Sequence, residues 1–335
     1  MNDFIQGIVM LLGIVAVIVA VLVNNGGFTE AITTLSLIPA EGSEMAGPFV
    51  SFFGPNLPDL IGVIILTSLG TWGLPQMVQK FYAIKSGPAI KQGAIVSTVF
   101  AMIVAGGSYF LGGFGRLYGG QVEMTAVGTP VYDSIIPTML SGLSTFLIAV
   151  VVILVLSASM STLSSLVLTS SSTLTIDLIK PNMKKCSDKK EMLIMRVLIA
   201  VFLVISVLLA FNKNASISTL MSYSWGALAG AFLGPFMYGL FSKKVTKPAV
   251  WCSFILGIGL TLVHMFLFGF GWNPELSKAA ASLPLNLASP INAGAIAMLL
   301  SLIVVPLVSA CTKVKDTDHV ENVFTCYAPA AEKKD

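Results

Sequence analysis

The chain has 335 residues, 55% of them hydrophobic and only 10% charged, where soluble domains carry about 25% charged residues. Its net charge of +3 is too small to suggest a nucleic-acid partner. Length alone would allow two or three soluble domains. Repeated apolar runs long enough to cross a ~30 Å hydrocarbon layer exclude that reading and leave an all-α integral membrane protein.

The first run, 4–23, opens with Asn2 and Asp3, lacks a basic start and is followed by no A-x-A-like site. It reads as a spanning helix rather than a secretory leader. Seven more spans are expected at approximately 58–84, 90–112, 138–173, 191–211, 216–241, 248–270 and 291–311. Residues 1–312 are therefore expected to form one membrane domain, with 313–335 as a cytoplasmic tail. Lys80, Lys85 and Lys91 flank the turn after the second span. Lys180, Lys184, Lys185, Lys189, Lys190 and Arg196 follow the fourth, and Lys243, Lys244 and Lys247 the sixth. Lys313, Lys315, Lys333 and Lys334 lie in the tail, and only Arg116, Lys213 and Lys278 fall on the other side. Sixteen basic residues against three place both termini on the cytoplasmic side of a cell membrane.

Asp3 and Gln6, at the start of the first span, are spaced for a capping box. An acid also suits a helix N-terminus. The second span contains TSLGTWGLPQMVQKF, Thr67 to Phe81. Gly70, Gly73 and Pro75 weaken a helix there, because proline removes a donor and clashes with the preceding turn. Broken helices at mid-membrane are where transporters expose backbone to a solute. A kink without a ligand fits the same residues.

The fourth span is rich in hydroxyls: Ser157, Ser159, Ser161, Thr162, Ser164 and Ser165, then Thr169 to Thr173 and Thr175 with few interruptions. Residues three and four apart share a helix face, so Ala158, Ser161, Thr162 and Ser165 form one stripe. Such residues can bond back to the previous turn or let helices approach closely. They can also hold a hard cation, which wants oxygen ligands. The Ser161 and Thr162 hydroxyls with an Ala158 carbonyl that had lost its own partner would supply three. Composition alone leaves both readings open. The sixth span repeats Gly226, Gly230 and Gly234 every four residues, a face for close helix contact. His264 in the seventh span reads as a packed neutral histidine. Cys186, Cys252, Cys311 and Cys326 have no metal-like or CxxC spacing. No Ser/His/Asp set, zinc cluster or pair of intramembrane acids is visible, so an enzyme is not expected.

The string AxMSTLSSxxLxxSSxxxxDL, starting at Ala158, resembles the sodium/solute symporter family of sodium-coupled proline, pantothenate and sugar carriers. NDFIQG from Asn2, the Gly70 to Pro75 segment, and SYSWGALAGAFLGP from Ser222 are similar to other motifs of that family. The resemblance implies a leucine-transporter-like fold of two inverted five-helix repeats. It implies sodium as the coupling ion, bound by Ala158, Ser161 and Thr162, with Asp3 on the ion's release path and no cofactor. It places Thr67, Thr71, Trp72, Leu74, Pro75 and Tyr223 near a small organic solute. The proline branch has aromatic residues where this chain has Thr67 and Thr71, so proline is not implied. TPVYDSIIPTML, Thr129 to Leu140, resembles the pantothenate branch without naming a solute.

The resemblance covers nearly all of the chain but only the later part of the family's length, from the fifth core helix onward. The first core helix of the family carries the remaining sodium ligands. The chain is thus expected to be a symporter fragment that does not transport by itself. A gene model begun at an internal methionine, a disrupted gene, or a split transporter would each produce it. In the last case the chain would pair with a separate N-terminal chain, or serve as a non-transporting membrane subunit or sensor.

Overall fold

The computed structural model describes residues 2–40, 47–81, 84, 86–124, 130–183, 187–211, 216–270, 272–314 and 317–327. Glu41, Glu44, Lys85, Thr129, Lys184, Lys185, Cys186, Lys213, Lys315, Lys333 and Lys334 lie outside the described residues, as do the side chains of Asp3 and Lys80. The chain runs α1 (Asn2–Asn24), α2 (Phe28–Ser36), α3 (Leu57–Gly70), α4 (Pro75–Phe81), α5 (Gly87–Gly113) and α6 (Ile135–Ser141). It continues through α7 (Thr145–Thr173), α8 (Asp188–Ala210), α9 (Ile217–Phe241), α10 (Lys247–His264), α11 (Pro274–Ala281), α12 (Pro290–Cys311) and α13 (Thr317–Phe324). No sheet is present among the described residues, and six helical segments are long and apolar enough to cross a membrane. The fold is that of an all-α membrane protein.

Of the expected spans, the second breaks where Gly70, Gly73 and Pro75 weaken it, and the fourth needs correction. The second is not one rod. It breaks after Gly70 into a 3-10 turn, Thr71–Gly73, and an extended Leu74 before α4 begins at Pro75. The fourth does not begin at 138. A turn closed by Leu143 N–H on the Leu140 carbonyl ends α6, and α7 starts at Thr145. Gly142 sits in that turn, and Ser144 takes an extended conformation as the N-cap. The sixth span is a helix, α9, but falls outside the six apolar segments. Its glycines, serines and proline stand where other spans carry bulk.

The described residues divide into two compact units: 1–55 with 79–216, and 56–78 with 217–335. In the first, α1 packs on α5 and α7. Its core is Ile14, Val17 and Val21 against Leu111, Met139, Leu140, Leu143 and Val151. Gly13 admits Leu154, whose Cδ1 would lie 2.5 Å from a Cβ at that position. Asn25 ends α1 by donating to the Val21 carbonyl at 2.8 Å and to the Tyr118 hydroxyl at 3.0 Å. No residue of α8 is buried.

In the second unit, α9, α10 and α12 pack side by side, with α3 laid on α9 and α12. Small residues set the spacing. A Cβ on Gly230 would lie 2.9 Å from that of Ala297, and one on Gly226 would lie 2.9 Å from the Gly294 Cα. The expected close-contact face of α9 is thus in use. Gly257 of α10 approaches the backbone of Gly230 and Ala231 so closely that no side chain fits. At such distances dispersion and hydrogen bonds hold helices that lipid gives no hydrophobic reason to associate.

Two prolines interrupt this core, Pro235 in α9 and Pro306 in α12. Each lacks the N–H that the carbonyl four residues earlier would accept. Both carbonyls find side chains instead. Ser253 Oγ donates to the Ala231 carbonyl at 2.9 Å, and Tyr238 Oη donates to the Leu302 carbonyl at 3.0 Å. Ser253 and Ser301 hydroxyls lie 2.8 Å apart, and the Gly234 N–H donates to Ser301 Oγ at 2.9 Å. Since Ser253 spends its proton on Ala231, Ser301 donates to Ser253. A directed chain then runs from Gly234 N–H through both hydroxyls to the Ala231 carbonyl. Ser253 and Ser301 are fully buried, where an unpaired polar group has no water to turn to.

Candidate functional site

The hydroxyl-rich stripe lies on α7, which is α-helical from Thr145 to Thr173 without interruption. Ala158, Ser161 and Ser165 are half-buried, and Thr162 is exposed. Ser161 Oγ donates to the Ala158 carbonyl at 3.2 Å, and Ser165 Oγ to the Thr162 carbonyl at 2.9 Å. The unbroken helix leaves the Ala158 carbonyl its own ladder position, so the expectation of a freed carbonyl is not met. A carbonyl has two lone pairs, however, and Ser161 already uses the second. Two oxygens 3.2 Å apart suit a shared cation. At oxygen distances of about 2.4 Å they subtend about 84°, close to an octahedral edge. Binding would turn the Ser161 proton outward and exchange one hydrogen bond for two ion contacts, one on each oxygen.

The irregular backbone of α7 comes later than the sequence pattern suggests. Leu174–Ile179 form a π-helix; Thr175 within it and Ser171 just before it are buried. Thr175 Oγ1 donates to the Ser171 carbonyl at 2.7 Å. The positions 151, 167, 171 and 175 carry the buried side of the helix. Nothing in the sequence separated Ser171 and Thr175 from their many hydroxyl neighbours.

In the second unit, the break after Gly70 is packed on α9. A Cβ on Gly73 would lie 2.7 Å from the Ala229 Cα, and one on Gly70 would meet Trp225 at 3.0 Å and Met298 at 3.2 Å. Gly62, Leu66, Gly70, Gly73 and Leu74 form the buried side of this segment. Thr67, Thr71 and Trp72 lie off that buried side. Thr67 and Thr71 are half-buried, one turn apart, and bond back to the Val63 carbonyl at 2.8 Å and the Ser68 carbonyl at 3.0 Å. Trp72 is 55% exposed. The six expected solute residues are therefore not one surface. Leu74, only 1% exposed, belongs to the core of its unit, and Pro75 is half-buried at the start of α4. Tyr223 lies against α10, with its ring 5.8 Å from that of His264. It is Trp225, two residues on, that meets the break.

His264 is packed as expected. It is 7% exposed, its Nε2 lies 3.0 Å from the Leu287 carbonyl, and the Phe268 ring lies tilted against it with centroids 4.9 Å apart. A carbonyl only accepts, so Nε2 carries a proton and donates it to Leu287. Near the start of α3 is a polar group that sequence reasoning missed. Asn292, 1% exposed, donates through Nδ2 to Asp59 at 2.5 Å and to the Asn286 carbonyl at 2.9 Å. Asp59 also accepts from Asn56, the N-cap of α3, at 2.7 Å. The Asn292 Oδ1 occupies the space a Cβ on Gly62 would take. Residues 233 positions apart in sequence meet here, and no local signal announces that pairing.

A family model described as the sodium:solute symporter family matches residues 1–257. The chain is 26% identical over 270 residues to the high-affinity proline transporter PutP of Bacillus subtilis, covering 78% of this chain and 54% of that protein. It is 26% identical to the sodium/pantothenate symporter of Haemophilus influenzae, covering 81% and 55%. It is 27% identical to the sodium/pantothenate symporter of Escherichia coli, covering 84% and 58%. The chain spans about half the length of these curated relatives.

Proposed function

Because this chain belongs to the sodium:solute symporter family, we propose that it supplies one side of the sodium site and part of the solute path of a transporter. That transporter couples sodium entry to uptake of a small organic solute by alternating access. Ala158, Ser161 and Thr162 hold the ion together with ligands from the repeat that precedes them. Asp3, near the start of α1, attracts the ion as it leaves. Thr67, Thr71 and Trp72, off the buried side of the broken segment, face the solute, with Pro75 freeing backbone beside them. Leu74 and Tyr223 act through packing unless the segment moves. The lysine-rich ends of the helices face the cytoplasm.

The observation that carries this reading is the 3.2 Å approach of Ser161 Oγ to the Ala158 carbonyl on a half-buried face, with Thr162 at its rim. The sodium/pantothenate and proline carriers among the relatives fit a sodium-coupled carrier of small organic solutes. The test is uptake by the full-length protein with Ser161→Ala and Thr162→Ala combined. Each lost ligand removes an ion contact that water must replace, so the sodium concentration for half-maximal uptake rises at least tenfold. Uptake that tracks sodium as in the parent overturns the assignment.

A further inference from the structure

At one end of the second unit the C-terminal end of α9, the N-terminus of α10 and the C-terminal end of α12 meet. Thr246 ties them. Its hydroxyl lies 2.6 Å from that of Thr312, and its N–H donates to Ser309 Oγ at 3.4 Å. Beside this knot is a cavity of about 510 Å³ lined by Lys247, Lys313, Trp251, His319, Val245 and Val320, among others. Among the described residues, none that lines it is acidic. Asp318 and Glu321, on α13, line no part of it, and Asp316 lies outside the described residues. Both lysines are exposed, and Trp251 is 68% exposed at the first turns of α10.

These residues have different tasks at a membrane surface. Tryptophan at a helix end sits at headgroup level, with its apolar ring toward the acyl chains. Two lysines lining one recess offer positive charge to a phosphate. Valines from the α9–α10 turn and from α13 supply the apolar floor. Basic recesses at the ends of spanning helices are suited to phospholipid headgroups, and 510 Å³ is enough for one. A soluble anion would use the lysines but leave Trp251 and the valines without purpose.

We propose that this cavity binds the phosphate headgroup of one anionic phospholipid, with Lys247 and Lys313 on the phosphate, His319 at its edge and Trp251 on the glycerol and upper acyl chain. The site goes beyond the transport reading and does not depend on it. It needs only that this end of the helices stands at a bilayer surface. The lipid would hold α13 against the α9–α10 turn.

The test uses the purified full-length protein in detergent micelles, which have no bilayer surface potential, with one added lipid at a time. Native mass spectrometry reads retained lipid. The parent protein should retain phosphatidylglycerol in preference to phosphatidylcholine. A charge-assisted lysine–phosphate hydrogen bond is worth about tenfold or more in affinity, so Lys247→Gln with Lys313→Gln should lower phosphatidylglycerol affinity at least about tenfold. Trp251→Ala should weaken it while leaving the charge intact. Lys189→Gln with Lys190→Gln removes the same charge outside the cavity, and should change nothing. All four lysines are exposed, so none of these variants threatens folding. Equal retention of both lipids by the parent overturns the proposal, as does an equal loss in the control pair. Displacement of the lipid by millimolar inorganic phosphate would make this a soluble-anion site and overturn it too.

Discussion

Pro235 leaves the Ala231 carbonyl without its helical donor, and Ser253 supplies the replacement at 2.9 Å. Ser253→Ala removes that donor in a place that is fully buried. An orphaned buried acceptor costs about 1–3 kcal/mol in proteins generally. Interhelical bonds within membranes average about 0.6 kcal/mol and reach about 1.7. The expected loss is therefore about 1–2 kcal/mol, above the membrane mean because proline forbids the backbone from repairing the bond. Pro235→Ala restores an N–H to which the Ala231 carbonyl can return. In that background the same serine substitution should cost about 1 kcal/mol less. The assay is a double-mutant cycle on reversible unfolding in mixed micelles, reading helicity and a tryptophan signal together. Distant, independent sites add to within about 0.3–0.5 kcal/mol. If Ser253→Ala costs the same in both backgrounds within that margin, the serine does not serve the proline-freed carbonyl, and the reasoning fails.

Gly257→Ala should destabilise by about 1–3 kcal/mol, because its Cβ would overlap the α9 backbone at Gly230 and Ala231. Gly259→Ala, two residues on with open space around it, should stabilise by about 0.5–1 kcal/mol through helix propensity; thermal unfolding of the pair checks both signs. Asp59→Ala leaves Asn292 Nδ2 with only the Asn286 carbonyl and removes the acid from the first turn of α3. A loss of about 1–2 kcal/mol is expected, with faster amide exchange at the start of α3 as its signature. Glu191→Gln breaks the ion pair with Lys180 at 2.7 Å. One partner is 46% exposed, so the effect should stay below about 1 kcal/mol and shrink further as salt is raised.

The sequence by itself determined that this is an all-helical membrane protein, most of its spans, and the family it belongs to. Those conclusions rest on quantities a chain carries locally: the length of an apolar run, the spacing of hydroxyls on one face, the placement of lysines between runs. The break near Pro75 was legible for the same reason, since proline acts on its own turn. What only the tertiary structure decided is where those elements meet. Trp72 stays exposed while Gly73 and Leu74 turn inward, because Gly73 must pass against the Ala229 backbone. The start of α7 at Thr145 depends on a turn no hydropathy run marks. Asn292 reaching Asp59, Ser253 reaching Ala231, and the two lysines and a tryptophan around one cavity join residues far apart in sequence. A carbonyl freed by proline must find a donor wherever packing brings one, and the local pattern holds no record of which helix that will be.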